Sequence, residues 1–588
     1  MKSIDDPAMR AAAVEAARGG RPFDLLISGG TLVDVATGEL RRADIGIIGP
    51  LIAAVLPQGA RSDAAQRIDA SGMFVSPGLI DMHMHVESSM VTPATYARAV
   101  LPRGVTTIVW DPHELANVAG VPAVDWAIDA ARELPLEAII LAPSCVPSAP
   151  GLERAGANFG PESIAALLER PEIGGIAEVM NMEGVISGSP RMSGIVNAGL
   201  AAKKPVFGHA RGLSGDRLSA FMSAGVSSDH ELTSGDDLLE KLRAGLTIEL
   251  RGSHPYLFDG FIAALKTLPV WPQTLTLCTD DVFPDDLLEQ GGLDALIRAL
   301  VAGGLSPVQV LQAATLNAAR RLNRTDLGLI AAGRRANIAI FEDLETFSTR
   351  HVIVDGKVIA SDGRLNAAVS DHPSDMLKGS MKVEPLSPDD FRVKAEGSRV
   401  EVATIDQPRF TRWGKAEADV QNGFVCPPDG ATLISVVHRH GQAAEKPKTG
   451  FLRGWGEWRG AFATTVSHDS HNLTVFGQNP EDMAVAANAL IESGGGMVVV
   501  ENGKVKALLA LPLLGLISDA SLEDVARDFE AVRKAAGTIV DWEPPYLSFK
   551  ALVGATLACN AGPHQTDMGI ADVETGTVLE SPVLRQLV

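Results

Sequence analysis

Two histidines separated by one residue lie in the segment DMHMHVESSM, residues 81–90, which otherwise has the apolar character of a buried strand. Side chains alternate between the two faces of a strand, so Asp81, His83 and His85 are expected to point inward and the methionines outward. A buried imidazole is costly unless its nitrogen lone pairs find a partner. A divalent metal ion would be such a partner, and the segment therefore predicts a metal centre.

Other polar side chains stand at the ends of further strand-like stretches. They are Glu178, His209, His230, Asp280 and Asp281. Taken one at a time, each is more readily explained as an ordinary hydrogen-bonded residue. Four histidines and two carboxylates that converge on one place would instead supply nitrogen and oxygen ligands for two first-row ions, and these residue types do not select among Mn, Fe and Zn.

The elements that must position these residues form a regular series. Eight short β-branched runs alternate with amphipathic helical stretches between about residues 74 and 320, which is typical of repeated βα units around a parallel sheet. The runs are FVSPGLIDMHMH, GVTTIVWD, LEAIILAP, GGIAEVM, KPVFGHA, GVSSDHE, GLTIELR and TLTLCTDD. Eight units of this size predict a closed (β/α)₈ barrel, whose functional residues lie where the strands end.

The rest of the chain suggests additional domains, as expected for 588 residues. Short strands and glycine-rich turns before and after the barrel predict one small β-sandwich subdomain built from both flanks. The expected fold is therefore α/β, a TIM-like barrel with this subdomain and a C-terminal mixed α/β domain. The boundaries are 1–22 for a helical lead, 23–73 plus 324–380 for the sandwich, 74–323 for the barrel and 385–588 for the C-terminal domain.

Composition narrows the class of partner. The formal charge of −21 argues against a nucleic-acid ligand. The four cysteines are far apart and form no CxxC pair, which favours a reduced cytoplasm over a disulfide framework. We find no apolar run of membrane-spanning length and no export signal. A homo-oligomer, most simply a dimer, is expected because such assemblies are common.

Several motifs together resemble those of the amidohydrolase superfamily and, more closely, of the bacterial adenine deaminases. In the barrel they are PGLIDMHMHVESSM (77–90), TTIVWDPHELANV (106–118), AEVMNMEGVI (177–186), GHARGLSG (208–215), SSDHE (227–231) and CTDD (278–281). In the C-terminal region they are HDSHN (468–472), GGGMVVV (494–500) and LPLLGLISD (511–519). The resemblance thus extends over almost the whole chain.

The resemblance implies a binuclear metal site. His83 and His85 would bind one ion, His209 and His230 the other, Glu178 would bridge them, and Asp280 would complete the first site. A glutamate in place of the carboxylated lysine found in many relatives separates adenine deaminases from hydantoinase-like and dihydroorotase-like enzymes. Two divalent ions, Mn or Fe with Zn as an alternative, are the cofactors expected from this family.

The implied reaction is hydrolysis of adenine to hypoxanthine and ammonia by a bridging hydroxide that the metals activate. Asp280 would accept its proton, and Glu114 or Glu231 would serve as the acid beside the purine ring.

Four more residues, Asp111, His113, Arg251 and Asp281, could orient the base or a ligand, although turn or supporting roles are nearly as plausible.

Two departures from the family pattern bear on the substrate. Leu250-Arg251-Gly252-Ser253 stands where Arg-Glu-Gly-Ser is usual, and Arg211 stands where proline is usual. Another nucleobase or a cyclic amide is therefore the alternative substrate, and a non-catalytic interaction barrel is the alternative from a different class. The C-terminal His468 and His471 are read as a hydrogen-bonded turn and are left outside the metal site.

Overall fold

A parallel barrel forms the centre of the computed structural model, which describes residues 4–408, 410–443, 446–541, 552 and 554–588. Its strands, named β1 to β8 in chain order, are Leu79–Met84, Val105–Trp110, Glu137–Ala142, Ile173–Val179, Val206–Gly208, Ser228–Asp229, Thr247–Arg251 and Leu275–Cys278. Neighbouring strands within the series β1 to β5 and within β6 to β8 pair in parallel.

Two backbone hydrogen bonds close the ring. Between β5 and β6, the Ser227 N–H donates to the Val206 carbonyl at 3.1 Å. Between β8 and β1, the Asp280 N–H donates to the His83 carbonyl at 3.0 Å. The second bond matters for the chemistry, because it joins two of the predicted metal ligands through the backbone.

Helices follow the strands and cover the outside of the barrel. They are Pro93–Val100, His113–Ala119, Val121–Arg132, Pro161–Leu168, Met182–Ile186, Pro190–Ala202, Gly215–Ser223, Gly235–Arg243, Phe258–Lys266, Pro284–Glu289, Leu293–Ala302, Pro307–Gln312 and Ala318–Arg321. Apolar faces such as Leu238 and Leu242 are buried against the strands. Nowhere in the described part of the chain does a helix combine the length and apolarity needed to cross a lipid bilayer.

The barrel interior corrects one expectation. Met82 does not face the helices but packs with Val109, Leu141, Ala177 and Phe207, which come from four other barrel strands. The prediction that side chains alternate strictly along β1, with the methionines outward, was wrong for Met82. The reason is that the pairing of β1 with β2 is irregular between Asp81 and Met84. A shift in register at the end of a strand changes which side chains face inward.

A two-sheet subdomain flanks the barrel and uses chain from both of its ends. One sheet contains Leu51–Leu56, Asp44–Ile48, Phe23–Ser28 and Ala64–Asp69. The other contains Arg364–Leu365, Lys357–Ser361, Thr349–Val354, Ile338–Phe341, Phe74–Pro77, Thr31–Asp34 and Glu39–Arg42. The run FVSPGLIDMHMH, expected as one barrel strand, is therefore divided: its first part pairs in this sheet and its second part is β1. Helix Pro7–Ala17 packs beside the smaller sheet.

The C-terminal region is a mixed domain around one long sheet. The strands of that sheet are Phe424–Val425, Arg412–Gln421, Arg399–Asp406, Lys448–Arg453, Ala431–Val437, Leu473–Gly477, Ala461–Thr464, Gly496–Glu501, Lys504–Ala510 and Val583–Gln586. Helices Pro480–Ser493 and Leu522–Ile539 cover it, and Glu457–Trp458 pairs with Val540–Asp541. A small sheet of Pro563–Thr566, Gly569–Asp572 and Thr577–Leu579 completes the domain. The predicted fold class is confirmed.

The C-terminal domain docks onto the barrel through buried polar contacts. Arg154, in the chain between β3 and β4, donates from its backbone N–H and its Nε to the two carboxylate oxygens of Asp567, at 3.0 and 2.8 Å. The Ser518 N–H donates to the Met90 carbonyl at 2.9 Å. These contacts hold part of the C-terminal domain at the end of the barrel where the strands terminate.

Candidate active site

The six predicted metal ligands come together at the carboxyl end of the barrel. His83 is the last but one residue of β1, His85 directly follows that strand, and Glu178 lies in β4. His209 and His230 directly follow β5 and β6, and Asp280 lies two residues after β8. All six are buried, as expected for groups held at the strand ends of a barrel.

Glu178 lies at the centre of this group and divides its two oxygens between two pairs of histidines. Its Oε1 is 3.7 Å from His83 Nε2 and 3.6 Å from His85 Nε2. Its Oε2 is 2.7 Å from His209 Nδ1 and 3.2 Å from His230 Nε2. A carboxylate in this position can bind one ion through each oxygen.

The donors fit a pair of divalent ions. His85 Nδ1 donates to the Asp111 carbonyl at 3.0 Å, which leaves the lone pair on its Nε2, the nitrogen that faces Glu178 and Asp280. Both ring nitrogens of His83 are buried without a hydrogen-bond partner among the described residues. Since unsatisfied buried imidazoles are costly, the cluster is better explained by bound cations than by packing.

Asp280 is held in place from behind. Its Oδ2 accepts hydrogen bonds from Arg251 Nη1 at 2.8 Å and from Ser253 Oγ at 2.9 Å, while its Oδ1 lies 3.5 Å from His85 Nε2. Burial alone would raise the pKa of Asp280, but the Arg251 guanidinium and the nearby histidines hold that pKa well below its usual value. The carboxylate is therefore ionised.

Arg251 also fixes Glu231. Its two terminal nitrogens contact both carboxylate oxygens, with Nη2 at 2.9 Å from Oε2, and Arg211 Nη1 adds a bond at 3.0 Å. Burial would raise the pKa of Glu231, but these two cations keep that pKa well below its usual value. Arg211 and Arg251, the two departures from the family pattern, thus both bind the carboxylate of Glu231 at the cavity.

Asp111 and His113 support the cluster from the side. Asp111 accepts from the His113 N–H through Oδ1 and from His113 Nδ1 through Oδ2, each at 3.0 Å. His113 Nδ1 is also 3.8 Å from Glu178 Oε1. The pair lies beside the metal ligands.

Glu114 lies behind the cavity wall instead of on it. Its side chain is fully buried, and Ser88 Oγ donates to its Oε1 at 3.3 Å and to Asp281 Oδ1 at 2.5 Å. Among the described residues that line the cavity, Ser88 and Asp281 are present and Glu114 is not. Burial raises the pKa of Glu114 above its ordinary value, although the nearby His468, His85 and His113 oppose that rise.

The C-terminal domain forms one side of the cavity. The residues that it contributes are Val466, His468, Asp469, Met497 and Leu557. His468 Nε2 lies 3.6 Å from Glu114 Oε1 and so meets the barrel at the site itself. His471, in contrast, is fully buried and is not a lining residue; its Nδ1 accepts from the Ser467 N–H at 3.3 Å.

Several residues at the site were not selected from the sequence. Ser88 connects Glu114 with Asp281, Ser253 supports Asp280, and His254 lines the cavity beside Arg251. A signal existed for Ser253 and His254, which directly follow the unusual Leu250-Arg251-Gly252. None existed for the position of His468, because its neighbour Glu114 lies far away in the chain.

Comparison with known proteins agrees with this architecture. Residues 74–359 match the description "Amidohydrolase family" and residues 408–577 match "Adenine deaminase C-terminal domain". The chain is 66% identical to adenine deaminase 2 of Agrobacterium fabrum over 99% of this chain and 98% of that one. It is 65% identical to adenine deaminase 2 of Rhizobium meliloti, with 99% and 98% covered. It is 52% identical to adenine deaminase of Serratia proteamaculans, with 97% of each covered.

These matches extend through both the barrel and the C-terminal domain, and the donor cluster meets the requirement of amidohydrolases for divalent metal ions. The chain belongs to the adenine deaminase family of the amidohydrolases.

Proposed function

We propose that this protein catalyses the hydrolytic deamination of adenine to hypoxanthine and ammonia. The observation that supports this most directly is the position of Glu178, whose two oxygens face two separate histidine pairs. The relatives named adenine deaminase, 52–66% identical over nearly the full length, indicate the substrate.

In this proposal His83, His85 and Asp280 would hold one divalent ion, His209 and His230 would hold the other, and Glu178 would be a ligand shared by the two. Bound ions of this kind lower the pKa of water toward about 7 and so supply a nucleophile at neutral pH. Mn or Fe is proposed as the physiological metal, with Zn as the alternative, because imidazole and carboxylate ligands suit all three.

Asp280 is proposed as the proton acceptor for the attacking water. Its Oδ2 is occupied by Arg251 and Ser253, so Oδ1 is the oxygen that faces the metal ligands. Because Arg251 keeps the carboxylate ionised, Asp280 can take a proton throughout the neutral range. Arg251, which stands where the family pattern has a glutamate, thus keeps the proposed base Asp280 ionised.

Glu114 and Glu231 differ in what they can do for the purine. Glu231 is held ionised by Arg251 and Arg211, so it suits accepting a hydrogen bond from a purine N–H and does not suit donating a proton. The pKa of Glu114 is raised by burial, and Glu114 is the proposed acid of the reaction. Asp111, His113 and Asp281 are proposed to orient these groups.

We further infer that the protein acts in the cytoplasm as a homodimer on a small purine. The four cysteines are free and three of them are buried, and the net charge of −21 disfavours nucleic acid as a partner. Light scattering after gel filtration measures the assembly, and a monomer would contradict the dimer.

The substrate is tested by measuring ammonia release from adenine, guanine, cytosine, a pterin and a hydantoin with protein reconstituted in Mn, Fe or Zn. Adenine should give the highest kcat/KM. Rapid turnover of another compound without turnover of adenine would favour the second candidate, a hydrolase for another nucleobase or cyclic amide. Arg211 and Arg251 at the cavity are the observation that keeps this candidate in consideration.

A further inference from the structure

The wall that the C-terminal domain adds to the cavity carries an imidazole. His468 lines the cavity with a side chain that is 17% exposed, and its Nε2 is 3.6 Å from Oε1 of the fully buried Glu114. Its Nδ1 is 3.7 Å from Asp469 Oδ1. The ring therefore lines the cavity with one nitrogen toward the buried Glu114 and the other toward Asp469, which also lines the cavity.

Glu114 needs such an intermediary. A buried carboxyl whose pKa is raised suits a proton donor, but Glu114 is not one of the described residues on the cavity surface. Ser88 Oγ lies 3.3 Å from Glu114 Oε1, but it carries one proton and lies 2.5 Å from Asp281 Oδ1, which accepts that proton. An imidazole can accept a proton at one nitrogen and release one from the other, which a serine engaged with Asp281 does less readily.

Other groups on the wall are less suited to act as the acid. Glu231 is fixed as an anion by two arginines. Both nitrogens of His254 lie within hydrogen-bond distance of neighbours, Nε2 at 3.2 Å from Arg251 Nη2 and Nδ1 at 2.9 Å from Ser253 Oγ. Of the other imidazoles that line the described cavity outside the six proposed ligands, His113 is bonded to Asp111 through Nδ1, whereas His468 turns its Nε2 toward Glu114.

We propose that His468 is a catalytic residue that delivers the proton on which the amino group leaves, with Glu114 behind it as the proton source. This rests on the proposed deamination of adenine. It gives the C-terminal domain a chemical role in the reaction in addition to covering the barrel.

The water oxygen forms a bond to C6 and gives one proton to Asp280, which passes that proton to N1. The C6–N6 bond then breaks with its electron pair on nitrogen, which takes a proton from His468 and departs as ammonia, and His468 recovers a proton from Glu114. As the carbonyl forms, the C6 hydroxyl gives its proton to Asp280, which releases it to solvent, while Glu114 takes one proton from solvent. Oxygen thus loses two protons, N1 and the leaving nitrogen gain one each, and Asp280, His468 and Glu114 end each turnover as they began it.

A leaving group that needs no proton isolates this role. His468→Asn and His468→Gln are compared with wild type on adenine and on 6-chloropurine, from which chloride departs unprotonated. We expect kcat for adenine to fall by about 10²-fold or more, as on loss of a general acid, and the rate with 6-chloropurine to change by less than about threefold. In His468→Ala, added imidazole should restore part of the turnover of adenine.

Metal content and a second histidine variant complete the test. Both His468 variants should retain the metal content of wild type, and His351→Asn, in the flanking subdomain, should leave both rates unchanged. Equal losses on the two substrates, unchanged turnover of adenine, or loss of a metal ion from the His468 variants would each overturn the inference. Wild-type protein that does not deaminate adenine would contradict the proposed function itself, before any variant is compared.

Discussion

At the scale of single residues, Glu178 is the carboxylate placed between the two histidine pairs. Four imidazoles lie within 3.7 Å of its two oxygens, and no other carboxylate in the described ligand cluster contacts both histidine pairs so closely. Asp280, by comparison, is 3.9 and 3.5 Å from His83 and His85. The two carboxylates therefore contribute differently to the binding of metal.

Replacing Glu178 with glutamine should remove one shared ligand, because an amide offers one oxygen and one N–H donor. We expect Glu178→Gln to retain about one ion per chain or fewer and to lose most of its kcat. Metal analysis after gel filtration measures this. Glu183→Gln, on the exposed face of the next helix, is the control and should keep wild-type metal content; an equal metal content in both variants would contradict the bridging role.

The buried carboxyl of Glu153 leads us to expect that the free energy of unfolding depends on pH. Burial and then the charge of Asp469 raise its pKa to about 8, against an ordinary value of 4.5. Because the folded state holds this proton more tightly than the unfolded state, the free energy of unfolding contributed by Glu153 falls as pH rises from about 4.5 to about 8.

Glu153→Gln should remove that decline, since the amide oxygen can still accept from Ser148 Oγ and the Ala149 N–H. We expect the Tm of the variant to rise relative to wild type by roughly 2 °C or more between pH 5 and 8. Thermal unfolding across this range measures the difference. A difference that is flat with pH, as expected for the exposed control Glu162→Gln, would show that Glu153 does not titrate in this way.

The proposed ligand residues could be picked out from the sequence because each lies at or within two residues of the end of a recognisable strand. Their partners could not be predicted in the same way. That Arg251 contacts Asp280 and Glu231 together depends on the closeness of three strand ends, which is a property of the closed barrel. The burial of Glu114 likewise depends on a wall that a distant part of the chain supplies.

At the scale of elements, strand ends position the ligands and do so through irregularities. The β1–β2 pairing shifts between Asp81 and Met84, and the β4–β5 pairing shifts between Ile176 and Val179, so the proposed ligands His83 and Glu178 each lie within a break in register. Hydropathy patterns identify the strands but not these shifts, which is why the side-chain direction of Met82 was predicted wrongly. Between β5 and β6, Gly208 allows the two strands to approach closely because it has no side chain.

Gly208→Ala should separate those two strands. An added Cβ would lie 2.2 Å from the Ser228 carbonyl oxygen and 2.6 Å from Val226 Cγ1. We expect a loss of about 1–3 kcal/mol in stability and a lower metal content, because His209 and His230 follow the displaced strands. Chemical denaturation and metal analysis measure both. Gly537→Ala, where a Cβ has no neighbour within 4 Å in a helix, is the control and should be neutral or stabilising by up to about 1 kcal/mol.

At the scale of the whole molecule, a buried ion pair joins the barrel to the C-terminal domain. Asp567 is fully buried, accepts from Arg154 Nε at 2.8 Å and lies 3.3 Å from His438 Nδ1. The presence of a C-terminal domain could be predicted from motifs, but its position over the strand ends could not, because no local pattern encodes a contact between residues so distant in sequence.

Arg154→Met should weaken this junction. Removing the guanidinium leaves the buried carboxylate with His438 and the backbone N–H of residue 154 as partners, and the loss of a buried charged partner typically costs about 3–5 kcal/mol. We expect earlier thermal unfolding and faster proteolysis between the barrel and the C-terminal domain. Arg399→Met, which breaks an exposed pair with Glu417, should cost less than about 1 kcal/mol; similar losses in both variants would contradict a special role for the junction.

The cavity receives both its floor and its C-terminal wall from one polypeptide. Every copy of the chain therefore carries a complete set of reacting groups, whether or not it meets another copy. Specific activity should accordingly stay constant on dilution from micromolar to nanomolar enzyme. Any dimer would then contribute to the stability of the folded protein and not to its turnover.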